Sequence, residues 1–337
     1  MKTNAGQGGR VAEAKLKALA GCSALLSLLG CATVPVGDAG GTADALVAES
    51  VCEFTRDPEP EGLSGISRIG GNRYYCVNDR GGMLHELEIV LNDDGEIALC
   101  QTVRSVRLEG RVDLEDCAVD PLDGRVWVSD EHDHSVRQFD PKTGRETGRV
   151  DLPDVFAKNM VPNRSFEALA LSPDGLRLYV ANEDTLRCDG PVANGRHGGC
   201  VRIQEFARTG RGAAWTPARQ FRYNTEKIEG EPFLGLEMSG VAALCVADER
   251  TLLVLEREMS RKHPLVPSFL ARLYAVSLDQ PDGTVRKRLV WEENTSFANY
   301  EGICLGPVLK DGRRALVLVS DGGGKTDESL LVLSLGR

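Results

Sequence analysis

The sequence predicts an all-β protein folded as a β-propeller. Short apolar strands alternate with turn residues, no long helical period separates them, and one unit recurs five times along the chain. The units open at residues 64–66, 115–117, 167–169, 239–241 and 301–303. A β-sandwich also has many short strands, but it needs no repeat with acids at the same place in each unit. We therefore expect five four-stranded blades.

The elements follow the same order in each unit. A first apolar strand leads to a turn such as Pro121–Gly124 or Pro173–Gly175, and a second apolar strand ends in one or two acids. An amphipathic third strand, another turn and, in the first four units, a polar fourth strand come next. The fifth unit lacks a fourth strand, and we expect the segment 46–54 to supply it and close the ring.

The spacing of the units leaves room for a sixth blade. Successive unit starts are 51, 52, 72 and 62 residues apart. The longest interval contains the loop between Cys188 and Cys200 and a charged stretch, 227–237. Five blades are counted, and six are the alternative.

The N-terminus has the pattern of an export signal. A basic segment, 1–17, precedes an uncharged stretch, 18–29, which is too short to span a bilayer as a helix. It ends in Leu28-Leu29-Gly30-Cys31, which resembles a bacterial lipobox and predicts lipidation of Cys31. An ordinary cleaved secretory signal is the alternative. The expected parts are a signal peptide at 1–31, a Gly-, Ala- and Asp-rich tether at 32–45 and the propeller at 46–337.

Export explains the cysteine content. Eight cysteines remain outside the signal, and Cys188 and Cys200 bracket a Gly-rich polar loop, so we expect a local disulfide between them. The other pairings cannot be derived from the sequence. The expected location is the cell envelope, as an outer-membrane lipoprotein facing the periplasm or the exterior. A secreted or periplasmic protein is the alternative.

The charge argues against polyanion binding. The chain has 50 acidic and 40 basic residues and a net charge of −10, so no global positive field attracts nucleic acid or anionic lipid. We expect a monomer that meets the membrane only through its lipid anchor.

Carboxylates are expected to ring one face of the propeller. The first strand of each blade lines the central channel, so its start lies on the same face as the end of the antiparallel second strand. Strand starts carry Glu115, Glu167 and Glu301, with Ser64 and Ser239 at that place in blades 1 and 4. Strand ends carry further acids: Asp79, Asp130, Glu131, Glu183, Asp184, Glu256, Glu258 and Asp321.

Such a ring favours a cation site. Carboxylates around one axis repel one another unless a cation or a proton lies among them, and oxygen ligands suit Ca²⁺ or Mg²⁺. For any single acid, capping of a strand end is the simpler interpretation. For the ring as a whole, with acids at one rim of five blades, a functional site is the better one.

Several motifs carry a family resemblance: 61–66, 77–82, 127–131, 163–175, 255–257, 300–303 and 320–321. Over about 50–336 the chain resembles the phytase-like domain family, described as esterase-like activity of phytase. The resemblance implies an exported propeller whose acids serve hydrolysis of a small phosphorylated substrate. Glu115, Glu167 and Glu301 would then be metal ligands or the general base, and Arg80 or Arg257 would stabilise the developing charge.

The sequence departs from the family motif at two places. Asp116 and Ala168 stand where the motif has Gly, and the segment 132–134 adds two histidines beside the acids. No serine has Gly at both −2 and +2, so the nucleophile elbow of a serine esterase is absent. Two hypotheses stay open. One is a calcium-dependent phosphoester hydrolase, and the other is a non-catalytic lipoprotein propeller that binds a ligand or envelope partner with a structural metal.

Overall fold

The computed structural model describes residues 46–48, 62–79, 81–110, 113–263, 266–280, 283–296, 298–321 and 329–335. They all belong to one compact unit, Ala43–Arg337. The predicted signal peptide with Cys31, the tether and Arg80 lie outside the described residues. Within the part described, no helix is long and apolar enough to cross a membrane.

Five antiparallel blades confirm the predicted propeller. Strand β1 (Leu46–Ala48) comes first in the chain. Blade 1 consists of β2 (Leu63–Gly70), β3 (Arg73–Asn78), β4 (Met83–Leu91) and β5 (Ile97–Arg107). Blade 2 consists of β6 (Leu114–Val119), β7 (Val126–Asp130), β8 (Ser135–Phe139) and β9 (Glu146–Arg149).

Blade 3 follows a short helix, α1 (Asp154–Asn159). It consists of β10 (Phe166–Leu171), β11 (Arg177–Asn182), β12 (Cys200–Ala207) and β13 (Thr216–Asn224). Blade 4 consists of β14 (Met238–Asp248), β15 (Thr251–His263), β16 (Val266–Ser277) and β18 (Lys287–Thr295). Between its last two strands, β17 (Gly283–Thr284) adds a parallel fifth strand to blade 3.

The N-terminal strand closes the ring. Blade 5 consists of β19 (Asn299–Val308), β20 (Arg314–Asp321), β21 (Ser329–Leu335) and β1, which pairs antiparallel to β21 with Val47 opposite Leu333. The prediction that the N-terminal segment supplies the missing outer strand is confirmed by residues 46–48, and the rest of the predicted segment, 49–54, lies outside the described residues. No sixth blade exists within the described residues, because the long third interval is taken up by loops on either side of β12 and β13.

The cores lie between neighbouring blades, and strand alternation fills them. In β15, Leu252 and Val254 pack in the cluster shared with blade 3, whereas Leu253 and Leu255 pack in the cluster shared with blade 5. Each fully buried side chain of this kind stabilises the fold by about 1.5–3 kcal/mol. The same alternation continues along the strand and sends consecutive residues to opposite sides of the blade.

The inner strands approach one another closely at the axis. A Cβ added to Gly302 would lie 2.6 Å from the carbonyl oxygen of Ser64, so only glycine fits there. At the corresponding place in blade 2, the buried Asp116 accepts hydrogen bonds from the N–H groups of Cys117 (2.8 Å) and Leu169 (2.9 Å). Where the family motif has Gly, Asp116 therefore joins blades 2 and 3.

Cys188 and Cys200 are both thiols in this structure. Cys188 is exposed, Cys200 is half-buried, and the Arg202 guanidinium lies 3.9 Å from the Cys188 Sγ. The disulfide between them stays a prediction.

Candidate functional site

Strand register brings the predicted acids to one face. In blade 2 Leu114 pairs with Asp130, in blade 3 Phe166 pairs with Asn182, and in blade 5 Asn299 pairs with Asp321. The start of each inner strand therefore lies beside the end of the second strand, and Glu115, Glu131, Glu167 and Glu183 lie at these junctions.

Two groups of three carboxylates converge there and share Glu131. One consists of Asp113, Glu115 and Glu131, and the other of Glu131, Glu167 and Glu183. Within each group, one oxygen of every carboxylate lies within 4.8 Å of the others. This geometry fits a hard cation that takes carboxylate oxygens. We call these five residues the channel-mouth carboxylates.

Arg257 neutralises part of this region. Its Nη2 lies 2.7 Å from Glu183 Oε1 and 3.2 Å from Glu167 Oε1, and its Nη1 pairs with Glu301 Oε1. Burial opposes the charge of the guanidinium, but Glu301, Glu167 and Glu183 raise its pKa. One internal cation thus joins three acids from blades 3 and 5.

Glu115 has no such partner. Its carboxylate accepts no hydrogen bond and forms no ion pair with any residue that the structure describes. Burial raises its pKa well above the ordinary value, and the charges of Glu131, Glu301, Asp113 and Asp79 raise it further. A carboxylate in these surroundings holds a proton or needs an external cation.

Burial also raises the pKa values of the neighbouring acids. Burial raises the pKa of Glu131 to about 7, against the lowering effect of the Ser165 N–H, which donates to Oε1 at 2.8 Å. Burial also raises the pKa of Glu301 to about 8, with Arg257 lowering it and Asp321 and Asp79 raising it. Burial raises the pKa of Glu167 and of Glu183 in the same direction.

Asp130, a predicted metal ligand, holds the local backbone. Its Oδ1 accepts hydrogen bonds from the N–H of Asp113 at 3.1 Å and of His132 at 3.0 Å, and its Oδ2 pairs with the buried Arg137. The carboxylate therefore positions Asp113 at the channel mouth and does not join either group of three.

Glu256, another predicted ligand, lies on the opposite side of β15 from Arg257. It accepts hydrogen bonds from Tyr223 Oη at 2.6 Å and from the N–H of Glu226 at 2.9 Å, and it pairs with Lys287. Glu258 likewise accepts from the N–H of Gly230 at 3.0 Å. These two acids fix the loop after β13 against blade 4.

The remaining predicted residues flank the site. Asp79 follows β3, and its N–H donates to Gly62 O at 3.0 Å. Asp321 ends β20, and its charge helps to raise the pKa of Glu301. Asp184 pairs with Arg164. Among the described residues, the groups able to hold a metal contain carboxylates only, so the two histidines of 132–134 are not part of them.

Sequence reasoning missed Asp113. It lies just before β6 and two residues before Glu115, outside the strand starts and ends on which the prediction was based. The signal that could have found it is the spacing of Asp113 and Glu115, because residues two apart in an extended chain face the same side.

Comparison with known families fits these observations. The family model described as esterase-like activity of phytase matches residues 59–322. The chain belongs to the phytase-like family. A comparison of this phytase-like chain with curated proteins returns no match.

Solved structures that match the phytase-like chain differ widely from it in sequence. Hydrazine synthase of Kuenenia stuttgartiensis is 16% identical to this chain, with a TM-score of 0.39. The match covers 77% of this chain and 56% of the hydrazine synthase chain. The PQQ-bound aldose sugar dehydrogenase of Streptomyces coelicolor is 11% identical over 88% of this chain and 99% of its own, with a TM-score of 0.43. Glutaminyl cyclase of Myxococcus xanthus is 12% identical over 88% of this chain and 100% of its own, with a TM-score of 0.40. At these TM-scores the matches carry no argument about activity.

Proposed function

We propose that this phytase-like propeller is a metal-dependent phosphoester hydrolase that binds Ca²⁺ at the channel mouth. The observation that carries the proposal is Glu115, which pairs with no described residue and lies with Asp113 and Glu131 in a group of converging carboxylate oxygens. Arg257 is bound to Glu167, Glu183 and Glu301. Among the described residues no cationic side chain pairs with Glu115, which supports a bound cation at this group.

The carboxylates fit this ion. Ca²⁺ takes six to eight oxygen ligands, and the group around Glu131 supplies several of them without a competing nitrogen or sulfur ligand. When bound, Ca²⁺ supplies Lewis-acid polarisation of a phosphoryl oxygen. It also offsets the repulsion between the acids and the negatively charged substrate.

The residues of the chain would then have separate roles in the reaction. Glu301, which lies outside both groups and has a pKa of about 8, is suited to take a proton from an attacking water near neutral pH. Arg257 holds Glu167, Glu183 and Glu301 in place through its ion pairs. Stabilisation of the developing charge falls to Arg80, which follows Asp79 in the chain.

A non-catalytic propeller is the second candidate. Arg257 bridges blades 3 and 5, which is what a purely structural brace at the channel mouth would do. In this case a bound cation stabilises the fold, and the same face binds a ligand or a partner in the cell envelope.

Hydrolysis is tested on the chain from Ala32, freed of divalent cations with a chelator. Release of phosphate or nitrophenol from a phosphomonoester and a phosphodiester is followed with and without Ca²⁺. We expect calcium-dependent turnover that is lost in Glu115→Gln. The matched control is Glu88→Gln, because Glu88 lies on β4 and accepts a hydrogen bond from Gln101 Nε2 at 2.7 Å, away from the acids.

Two results would count against the hydrolase. Turnover that needs no divalent cation, or that persists in Glu115→Gln, contradicts the proposed site. Absence of turnover together with a melting temperature raised by Ca²⁺ favours the binding propeller.

We also propose that the chain is exported and anchored through Cys31. The support is the sequence pattern that ends in Leu28-Leu29-Gly30-Cys31. Incorporation of a labelled fatty acid that is abolished in Cys31→Ala, with the protein recovered in the membrane fraction, is the expected result. Release of unlabelled wild-type protein into the soluble fraction would favour an ordinary secretory signal.

A further inference from the structure

The second and third strands of blade 4 extend beyond its inner strand on the face that carries the acids. Strand β15 has 13 residues and β16 has 12, whereas the second strands of the other blades have 5 to 8. The inner strand β14 begins with Met238, which pairs with Met259, and β15 continues past this pair to His263. We call the segment 257–270 the blade 4 hairpin.

The loop after β13 covers one side of the blade 4 hairpin. The N–H of Gly230 donates to the buried Glu258 at 3.0 Å. Glu231 and Arg261 exchange backbone hydrogen bonds of 3.0 and 2.7 Å. A Cβ added to Gly230 would lie 2.1 Å from Ser260 Oγ, so the loop and the hairpin are in close contact. The side of the hairpin that carries Glu258 and Ser260 therefore already has a partner.

The other side of the hairpin carries Arg257 and three apolar side chains. Strand pairing is regular around Met259, so Met259 shares its side with Arg257 and faces away from Glu258. Met238 and Phe269 pair with Met259 from the two neighbouring strands, so their side chains lie next to it on the same side. We call Met238, Met259 and Phe269 the apolar row.

The apolar row lies outside the hydrophobic cores. All three of its side chains are half-buried, and none belongs to any of the five core clusters that the described residues form. Leu253 and Leu255, earlier on the same side of β15, are buried in the cluster shared with blade 5. The row thus continues this apolar side beyond the core, past Arg257.

The apolar row borders the proposed cation site. Arg257 bonds to Glu183 at 2.7 Å and to Glu167 at 3.2 Å, and both acids are channel-mouth carboxylates. Two residues of an extended strand span about 7 Å, so Met259 lies about 7 Å along β15 from Arg257. A phosphoester bound at these acids can therefore reach the row with its alcohol group.

The chemistry of the row selects among alcohol groups. Apolar surface gains free energy when another apolar group covers it and displaces water. Phenylalanine packs well against an aromatic ring, and the flexible thioethers of the two methionines adapt to the outline of such a ring. A sugar or another polyhydroxylated alcohol would lose hydrogen bonds to water at the row without replacing them.

We propose that the apolar row binds the alcohol group of the substrate, and that the substrate class is phosphoesters of aromatic alcohols. The inference rests on the proposed hydrolase function and adds to it a surface that determines specificity. The occupant follows from continuity with the proposed site, because the row shares its side of β15 with Arg257. The loop after β13 covers only the reverse side.

Calorimetry with two non-hydrolysable probes tests the assignment. Phenylphosphonate has an aromatic ring and methylphosphonate has none, and both present the same phosphonate group to the full mature chain loaded with Ca²⁺. We expect wild type to bind phenylphosphonate about tenfold more tightly than methylphosphonate. Phe269→Ala should weaken phenylphosphonate binding about tenfold and leave methylphosphonate binding unchanged.

Two further variants complete the test. Leu289→Ala removes an apolar side chain of blade 4 that is 46% exposed and pairs with Tyr274, away from the row, so the preference for the phenyl probe should remain. Met259→Gln keeps a side chain of similar length but makes it polar, so it should also lower the preference. This variant decides the question if Phe269→Ala does not fold.

The outcomes distinguish the two proposals. Equal binding of the two probes by wild type, or a preference that survives in Met259→Gln and Phe269→Ala, would overturn the apolar row as a binding surface and leave calcium-dependent hydrolysis standing. If wild type neither binds phenylphosphonate nor hydrolyses phenyl phosphate in the presence of Ca²⁺, the proposed hydrolase function fails, and the role of the row fails with it.

Discussion

The metal-free protein is expected to lose stability as the pH rises from about 4.5 to about 8. Burial raises the pKa of Glu301 from 4.5 to about 8 in the folded protein. Between these two values the folded state holds a proton that the unfolded state has released. The stabilisation is therefore fully present below pH 4.5 and is lost as the pH passes through 8.

The size of the change in the free energy of unfolding follows from the difference between the two pKa values of Glu301. Each pH unit over which the folded state holds one extra proton changes the free energy of unfolding by about 1.4 kcal/mol. The interval of Glu301 thus corresponds to about 5 kcal/mol, and Glu131, with a pKa of about 7, adds to the same trend. Glu301→Gln removes the titrating group, so its stability should depend less on pH.

The assay is urea unfolding of chelator-treated protein, followed by tryptophan fluorescence between pH 5 and 8. The difference in slope between wild type and Glu301→Gln isolates the contribution of Glu301. The control is Asp154→Asn, because Lys158 lowers the pKa of Asp154 and leaves it ionised throughout this range. A wild-type stability that stays level or rises with pH, or a variant with the wild-type slope, would refute the reasoning.

Three further changes have expected outcomes. Arg257→Met leaves three buried carboxylates without their cation and should lower the free energy of unfolding by about 3–5 kcal/mol, measured in urea at pH 7. Gly302→Ala forces a Cβ to within 2.6 Å of a carbonyl oxygen in blade 1 and should cost about 1–3 kcal/mol, seen as a lower melting temperature. If Cys188 and Cys200 form the predicted disulfide, the exported protein binds two additional maleimides after reduction, and Cys188→Ser abolishes this gain.

Matched controls separate these effects from general disturbance. Arg250→Met removes an exposed arginine whose Nε lies 3.5 Å from Asp279, and a change of less than about 0.5 kcal/mol is expected. Gly210→Ala places a Cβ where no atom lies within 4 Å, so its melting temperature should match that of wild type. A loss in Arg250→Met or Gly210→Ala as large as in its partner variant would contradict the corresponding argument. Equal maleimide counts before and after reduction would show that the two thiols are not paired.

The fold could be derived from the sequence because its signals are local. Alternating apolar residues and turn residues recur in each unit, and a strand needs only its own residues to present one side to each neighbouring blade. Because the fifth unit lacks one strand, the sequence also predicted the pairing of β1 with β21. The same local logic placed acids at strand starts and strand ends on one face.

The partners of those acids could not be derived in this way. Glu256 and Arg257 are consecutive, yet they have different partners, and each is paired with residues distant in the chain. Asp130 was predicted as a ligand, but Arg137 and the backbone of Asp113 occupy its oxygens. Such contacts depend on how neighbouring blades pack against each other.

The sequence by itself determined the propeller, its closure and the face on which the acids gather, and it counted five blades with six as the alternative, because each of these follows from a pattern that repeats along the chain. Only the tertiary structure decided which acids converge and which are already neutralised. Arg257 meets Glu167, Glu183 and Glu301 across gaps of 90, 74 and 44 residues. Electrostatic energy depends on the distance between charges in space and on their burial, and the sequence alone gives neither.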